Sequence, residues 1–245
     1  MSTKTDIGTD ELVVNTTAPT ITLSTISGGY INAAEKASDL VINGTTNAQV
    51  GSKVTITGLD STPRYATVMA GSGGVNTFSL LIAGSAVAGF TNADAIKTVQ
   101  ASVVNAFQLT GTDTEVVTID TTAPAGTVSL DAISGDDLIT AGELAGTVTV
   151  TGTATGEFKA GDVVTIKVNG ASYTGSVDAS GKFSVSGIKG SDLSADAGKK
   201  VEVTLLASDN AGNTTSFTSS RIYTLDTHPN ADDTTLTLDP VSTDN

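Results

Sequence analysis

The stretch Asn15-Thr16-Thr17-Ala18-Pro19 decides the fold of this chain, because it recurs. It returns as Asp120-Thr121-Thr122-Ala123-Pro124, and a degenerate third copy reads Asp226-Thr227-His228-Pro229. The three starts, at positions 15, 120 and 226, are 105 and then 106 residues apart. A fixed period of this length predicts tandem domains, each large enough for a core of its own.

The segments after each start follow one another in the same order. "TITLSTISGGYINAAE" from Thr20 aligns with "GTVSLDAISGDDLITAGE" from Gly126, and "NADAIKTVQASVV" from Asn92 aligns with "SADAGKKVEVTLLASD" from Ser194. We therefore predict two complete domains, module 1 and module 2. The predicted division is a preceding repeat's tail or a linker or tag at 1–14, module 1 at 15–119, module 2 at 120–225, and a linker with the first strand of a truncated repeat at 226–245.

Within each module the pattern is alternation of apolar and polar residues, which predicts strands rather than helices. The clearest strands are Val163 to Val168 and Val201 to Leu205, and Asn169-Gly170 marks a hairpin turn between strands. Ala33 to Ala37 and Ser191 to Ala197 are predicted to be single helical turns in loops. The fold class is therefore all-β, with seven or so strands per module.

Charge and composition exclude several functions. Twelve Lys and Arg against 26 Asp and Glu give a formal charge of −14, which repels nucleic acid and anionic membranes and favours divalent cations. No stretch approaches the roughly eighteen apolar residues of a membrane span. The chain has no Cys and one His, so its composition argues against a zinc site.

Enzymatic functions also lack their residues. The single His, His228, lies in a linker rather than a cleft, which argues against a Ser–His–Asp triad. The pair Asp136-Asp137 would need an aromatic-lined sugar cleft to hydrolyse glycosides, and the chain has no Trp. We expect no enzyme.

Three recurring motifs carry a resemblance to a known family: the "DTTAP" linker at Asp120, "ISGDDLITAGE" from Ile133 and "ASDNAGNTT" from Ala207. Together they resemble the bacterial immunoglobulin-like repeats of giant RTX adhesins, which Gram-negative bacteria secrete by type I systems. The resemblance implies immunoglobulin-like Greek-key β-sandwich modules joined end to end. It also implies an extended role at the cell surface, with calcium bound near the module junctions.

Calcium chemistry allows a ligand assignment. Ca²⁺ takes six to eight oxygen ligands from carboxylates, amides and carbonyls. In an immunoglobulin-like sandwich, the turn after the first strand lies at the far end, where the chain leaves, and the loop between the last two strands lies at the near end. The predicted ligands are Asp120, Asp209, Asn210, Asn213 and either Asn32 or Glu35 for the first junction, and Asp226, Asp136, Asp137 and Glu143 for the second.

Module 1 departs from this pattern. Gly28-Gly29 stands where module 2 has Asp136-Asp137, and Asn15 replaces the linker aspartate. We take "TGTDTE" around Asp113 as its upper loop, which lacks the "DNAGN" arrangement, so we expect weaker or fewer sites there. Loop Asp and Asn residues also form Asx-turns or keep a surface solvated, and that interpretation stays open for each residue.

These patterns lead to a functional hypothesis. We expect a structural extender, a calcium-rigidified rod that projects a distal ligand-binding domain in adhesion or biofilm formation. The chain is expected to be monomeric and extracellular at the cell surface, with neighbouring repeats of the same chain as its partners. The alternative is a binding module that recognises a glycan or protein on a host or neighbouring cell, which would call for an exposed aromatic patch.

Overall fold

A computed structural model describes residues 16–90 and 94–226 of the chain. The chain divides into two compact units, Met1–Thr122 (unit 1) and Ala123–Asn245 (unit 2). The predicted tail at 1–14 and strand of a third repeat, together with Asn15 and His228, lie outside the described residues. Within the described ranges, no helix combines the length and apolarity that a membrane crossing requires.

Unit 1 is built from short strands with alternating burial, as in Leu40–Thr46, where every second residue faces the core. Its described strands are β1 (Ile21–Leu23), β2 (Tyr30–Ile31), β3 (Leu40–Thr46), β4 (Lys53–Thr57), β5 (Arg64–Thr67), β6 (Asn76–Ile82), β7 (Ala95–Val104) and β8 (Thr110–Ile119). Two single-turn helices, α1 (Ala33–Lys36) and α2 (Gly84–Ala88), lie in the connections.

The strands of unit 1 form two sheets that enclose one core. One sheet has the order β1-β3-β6, and the other has the order β2-β8-β7-β4-β5. Val54, Ile56, Val99 and Val103 from the larger sheet pack in one buried cluster with Ile42 of the smaller sheet. The core is thin and aliphatic, as expected for a β-branched sequence.

Unit 2 repeats this plan. Its described strands are β9 (Gly126–Leu130), β10 (Leu138–Thr140), β11 (Thr147–Gly156), β12 (Val163–Val168), β13 (Ala171–Ser176), β14 (Lys182–Lys189), β15 (Lys200–Ser208), β16 (Thr214–Ile222) and β17 (Thr224–Asp226). The helices are α3 (Ala141–Leu144) and α4 (Gly190–Ala195).

Unit 2 has its own core between sheets of order β14-β11-β9 and β13-β12-β15-β16, with β10 and β17 forming a parallel pair. The buried cluster includes Val164, Ile166, Val203, Leu205 and Phe183. Two separate cores, each enclosed by sheets, show an all-β fold of sandwich modules, which confirms the predicted fold class.

Several local predictions are confirmed. The strand at Val163–Val168 is present with the predicted bounds, and the residues Asn169 and Gly170 have φ angles of 49° and 78°, as a type I′ turn requires. Both predicted helical turns exist, as α1 and α4.

One prediction is wrong. Asp113 does not lie in the upper loop of unit 1, because it lies inside β8, and its Oδ2 accepts the amide of Leu23 at 2.8 Å. The loop between the last two long strands of unit 1 is 105–109. It carries neither glycine nor proline, so its sequence gives no turn signal.

Candidate functional site

The far end of unit 1 is defined by a short parallel pairing. Ile31 of β2 lies opposite Ile119 of β8, and the amide of Asp120 donates to the carbonyl of Ile31 at 3.1 Å. The residue after Ile31 is Asn32, so the linker aspartate lies beside the start of α1. The structure thus brings together two of the predicted ligands of the first junction.

The helix α1 holds Asn32 and Glu35 by a capping box. The Asn32 Oδ1 accepts the amide of Glu35 at 2.9 Å, and the Glu35 Oε2 accepts the amide of Asn32 at 3.0 Å. The other carboxylate oxygen of Glu35 accepts the Ser27 hydroxyl at 2.6 Å. The Asn32 Oδ1 also accepts the amide of Ala34 at 3.0 Å, so both of its acceptor positions are used. The bonds above use only part of the acceptor capacity of the Glu35 carboxylate, so a cation can share that group.

Asp94 is a residue of this far end that the sequence prediction missed. The Thr122 hydroxyl donates to its Oδ2 at 2.7 Å, and the side chain of Asp120 also contributes to the pKa of Asp94. The pKa of Asp94 lies below its usual value, chiefly because of the Thr122 hydroxyl. The repeat alignment could have drawn attention to Asp94, since it aligns with Asp196. Asp94 is a single acid within "NADA", however, and not part of an acidic run.

The far end of unit 2 has the same framework. Thr140 of β10 lies opposite Asp226 of β17 in a parallel pairing. The Glu143 Oε2 accepts the amide of Thr140 at 2.8 Å in a second capping box, and its Oε1 accepts the Ser134 hydroxyl. Asp226 and Glu143 are therefore on the same end of the unit, as predicted.

The two neighbouring aspartates of unit 2 have different partners. Asp136 is exposed, and its Oδ1 accepts the amide of Leu138 at 3.0 Å, an Asx-type turn. Asp137 instead receives a bidentate bond from Arg221, with Nη2 to Oδ2 at 2.6 Å and Nε to Oδ1 at 2.7 Å. The pKa of Asp137 lies below its usual value chiefly because of this guanidinium. Asp137 is thus already neutralised by a protein cation.

The near ends of the units carry corresponding loops of different chemistry. In unit 2, the Asp209 Oδ1 accepts the amide of Asn213 at 2.9 Å, and Oδ2 accepts the Asn213 side-chain amide at 2.9 Å, while Asn210 is exposed. In unit 1, the Asn105 Oδ1 accepts the amides of Phe107 and Leu109 at 2.9 Å and 3.0 Å. The backbone plan is shared, but unit 2 supplies a carboxylate where unit 1 supplies a neutral amide.

The position of the near-end loop agrees with the sandwich geometry. In unit 1 the Asn105 Nδ2 donates to the carbonyl of Thr17, in the linker that leads into the unit, at 3.1 Å. The predicted joint set of Asp120 with Asp209, Asn210 and Asn213 draws on both units and stays a prediction. Across residues 16–90 and 94–226, no group of three or more His, Cys, Asp or Glu side chains is arranged to hold a metal ion.

A polar concavity in unit 2 has a volume of about 670 Å³. Asp131 and Asp178 border it, and its only aromatic lining residue, Phe183, is 4% exposed. A sugar would find hydroxyl and carboxylate groups there but no aromatic face on which to stack. This concavity gives the glycan-binding alternative little support.

Comparisons with known proteins place this fold in a family. No protein-family model matches the chain, and no curated protein matches it. One solved structure comes from a study of how a 1.5-MDa bacterial ice-binding adhesin is retained on the surface of its host cell. It is 36% identical to this chain, with a TM-score of 0.61. A second solved structure comes from a Ca²⁺-stabilised adhesin that helps an Antarctic bacterium reach out and bind ice. It is 38% identical, with a TM-score of 0.59.

Each of these two alignments covers 86% of this chain, and they span 65% and 50% of the respective relatives. A single bacterial immunoglobulin-like domain from the M. primoryensis ice-binding adhesin is 50% identical over its whole length and 42% of this chain, with a TM-score of 0.40. The chain belongs to the bacterial immunoglobulin-like repeats of large adhesins, as the linker and loop motifs predicted.

Proposed function

We propose that this chain is an extender segment of a large cell-surface adhesin, whose repeats are stabilised by calcium. The extender role is supported by two tandem sandwich units of the adhesin repeat family. The relatives of known structure are pieces of large adhesins, and one of them is described as Ca²⁺-stabilised. In this proposal the chain acts by staying folded under load. It does not itself recognise a surface ligand.

The observation that carries the calcium proposal is the pair of aspartates at the far end of unit 1, Asp94 and Asp120. The hydroxyl of Thr122, two residues after Asp120, donates to the Oδ2 of Asp94 at 2.7 Å, and the side chain of Asp120 also contributes to the pKa of Asp94. Two neighbouring carboxylates repel unless a proton or a cation lies between them. At neutral pH a divalent cation is the better solution, because both groups then keep their charge.

The surrounding residues fit calcium in their chemistry. Glu35 adds carboxylate oxygens on the helix that begins beside Asp120. The ligand set would be completed by carbonyl and water oxygens, which Ca²⁺ accepts readily. Bound calcium supplies a compact positive charge that neutralises the carboxylates, and because it binds the folded form, it stabilises that form by mass action.

Further parts of the proposal concern the protein's surroundings. We place the chain outside the cell, in a protein secreted by a type I system of a Gram-negative bacterium, with adjoining repeats as its partners. It has no catalytic role in this proposal, because the Asp136-Asp137 pair is divided between an Asx turn and an ion pair with Arg221. Low calcium inside the cell would leave the repeats less stable during export, and millimolar calcium outside would stabilise them.

Differential scanning calorimetry of the full chain tests the calcium proposal. We expect the unfolding midpoint to rise with calcium and to fall by several degrees (about 4–8 °C per kcal/mol for a domain of this size) in excess chelator. The variant Asp94→Ala should reduce the shift, while Asp178→Ala, which lies in an exposed hairpin of unit 2, should not. An identical midpoint in calcium and chelator would contradict the proposal.

Single-molecule pulling tests the extender role. The chain would be held at its two termini and unfolded in calcium and then in chelator. An extender that carries load should unfold in two events of similar contour length, at higher force with calcium. Unfolding at negligible force in both solutions would favour the binding-module alternative, which a glycan array would then test directly.

A further inference from the structure

Arg221 links three parts of the far end of unit 2. It lies on β16, and its guanidinium donates to both carboxylate oxygens of Asp137, with Nε to Oδ2 at 2.9 Å in addition to the two bonds above. Its Nη1 also donates to the carbonyl of Leu130, the last residue of β9, at 3.3 Å. The side chains of Arg221 and Asp137 are 39% and 29% exposed, so the pair is partly shielded from water.

Asp137 connects Arg221 to the turn before β10 and to β17, the last described strand of unit 2. Its Oδ1 accepts the amide of Ile133 at 2.8 Å, which fixes the turn before β10. Its backbone carbonyl accepts the amide of Thr224 at 2.8 Å, which starts the strand that ends at Asp226. The guanidinium therefore orders the turn, the strand and the approach to the linker together.

The backbone conformation at Asp137 is uncommon for a residue with a side chain. Its φ angle is +65°, in the left-handed region that disfavours residues with a Cβ atom. The corresponding residue of unit 1 is Gly29, with a φ of +97°, which accepts this conformation without strain. An aspartate carries a backbone cost there that glycine does not, and its ion pair with Arg221 is an interaction that can offset this cost.

Unit 1 cannot form this pair. In the register of the sheets, Val99 lies opposite Glu115 in unit 1, as Val201 lies opposite Arg221 in unit 2. Unit 1 therefore has an acid at the position of the arginine and a glycine at the position of the aspartate. The far end of unit 1 instead carries Asp94, whose Oδ2 accepts the hydroxyl of Thr122, two residues after Asp120.

We propose that Arg221 is a built-in cation that orders the far end of unit 2 without calcium, whereas the far end of unit 1 depends on the metal. The second half rests on the proposed function. The first half revises the sequence prediction for Asp137, which is a partner of Arg221 in this proposal and not a calcium ligand. The two ends of one extender segment then differ in their response to calcium.

Hydrogen exchange of the full chain, followed by mass spectrometry, tests the proposal. In chelator, peptides covering 133–140 and 222–226 should keep the protection that they have in calcium. Peptides covering 29–36 and 117–122 should exchange about tenfold faster in chelator than in calcium. Arg221→Gln should speed exchange of the two unit 2 segments in chelator by about tenfold or more.

Two further variants make the result decisive. Arg64→Gln removes a bidentate pair with Asp60 in unit 1, so it should leave the unit 2 segments unchanged. Asp137→Gly relieves the backbone and removes the carboxylate, and it should still expose the two segments in chelator. This variant serves if Arg221→Gln fails to fold.

The outcomes separate this inference from the proposed function. Loss of protection at 133–140 in chelator in the unaltered chain, or no effect of either unit 2 variant, would overturn the role of Arg221. An unchanged unit 1 in chelator would overturn the calcium dependence of unit 1. In that case the effect of Arg221→Gln on unit 2 would still decide whether Arg221 is the built-in cation.

Discussion

The hydroxyl of Thr122 donates to the Oδ2 of Asp94 at 2.7 Å, so the linker residue after β8 is tied to the loop before β7. Asp120, two residues earlier in the linker, also contributes to the pKa of Asp94. The last residues of unit 1 are thereby held against the loop that precedes its central strand pair. This contact makes Asp94 the residue on which the calcium proposal for unit 1 can be tested most directly.

Replacing Asp94 by Asn is expected to weaken calcium binding. The change keeps the size and the acceptor oxygen of the side chain but removes the charge that a divalent cation requires. Affinity of the strongest unit 1 site should fall about tenfold or more, measured by isothermal titration calorimetry of the full chain. Asp178→Asn makes the same charge change in an exposed hairpin and should leave the affinity within about twofold. Equal affinities for the two variants would remove Asp94 from the ligand set.

Asp162 provides a prediction for acid stability. Burial raises its pKa, but the amides of Lys159 and Ser208 and the Ser208 hydroxyl more than offset this, so the pKa of Asp162 lies below its usual value. A lowered pKa means that the carboxylate stabilises the fold above the unfolded pKa, and that this contribution is lost as the pH falls through the folded pKa.

The variant Asp162→Asn should therefore lower the free energy of unfolding of the chain at about pH 7, and the difference from the unaltered chain should shrink as the pH falls below about 4. Urea denaturation at a series of pH values measures this. A difference that is the same at neutral and acid pH would mean that the hydrogen bonds act without the charge.

The framework of both far ends was accessible from the sequence. The turn after the first strand and the exit linker were expected at one end, and the parallel pairings Ile31 with Ile119 and Thr140 with Asp226 place them there. The repeat itself made this possible, because a period of one sandwich fixes which segments correspond. The ion pair of Arg221 could not be predicted, because Arg221 lies within a strand and is one of 12 basic residues, with no motif around it that points to a partner.

The loop at 105–109 could not be predicted for a different reason. Its Gln108 has a φ angle of +63°, and in unit 2 the corresponding residue is Gly212 with a φ of +88°. A glycine in the sequence indicates a turn because it adopts a positive φ angle freely, whereas a glutamine does not indicate one. The misplaced loop around Asp113 followed from this missing glycine.

A pair of glycines makes a stability prediction that is matched across the units. A Cβ on Gly44 would lie 2.3 Å from the Phe78 ring and 2.3 Å from the Thr22 carbonyl oxygen. A Cβ on Gly152 would lie 2.4 Å from the Phe183 ring and 2.1 Å from the Ser129 carbonyl oxygen. Each glycine allows a phenylalanine ring to cross the strand.

Gly44→Ala and Gly152→Ala should each destabilise their own unit by about 1–3 kcal/mol or more, because the backbone oxygens cannot move aside. Gly146→Ala meets nothing within 4 Å and should be tolerated. Calorimetry of the full chain reports the result as a fall in one of the unfolding transitions. Tolerance of all three changes would show that the strands can shift to accept the added carbon.

The loops at 105–109 and 209–213 allow the structural and metal-binding roles of one aspartate to be separated. Asp209 has a structural role in its own turn, since its Oδ1 accepts the amide of Asn213 at 2.9 Å. Unit 1 builds the same turn with the neutral Asn105. An asparagine at position 209 should therefore keep the turn while removing the negative charge.

Asp209→Asn keeps the acceptor for the backbone amide of Asn213 but loses the acceptor for its side-chain amide, so a fall of the unfolding midpoint in chelator measures the structural role alone. If Asp209 only caps the turn, the midpoint should fall by the same amount in calcium. If it also ligates calcium, the midpoint should rise less with calcium than it does in the unaltered chain. We expect the second result, because Ca²⁺ distinguishes a carboxylate from an amide by charge while the backbone amide of Asn213 can donate to either oxygen. Asp178→Asn makes the same charge change in another exposed turn of unit 2, so it serves as the control.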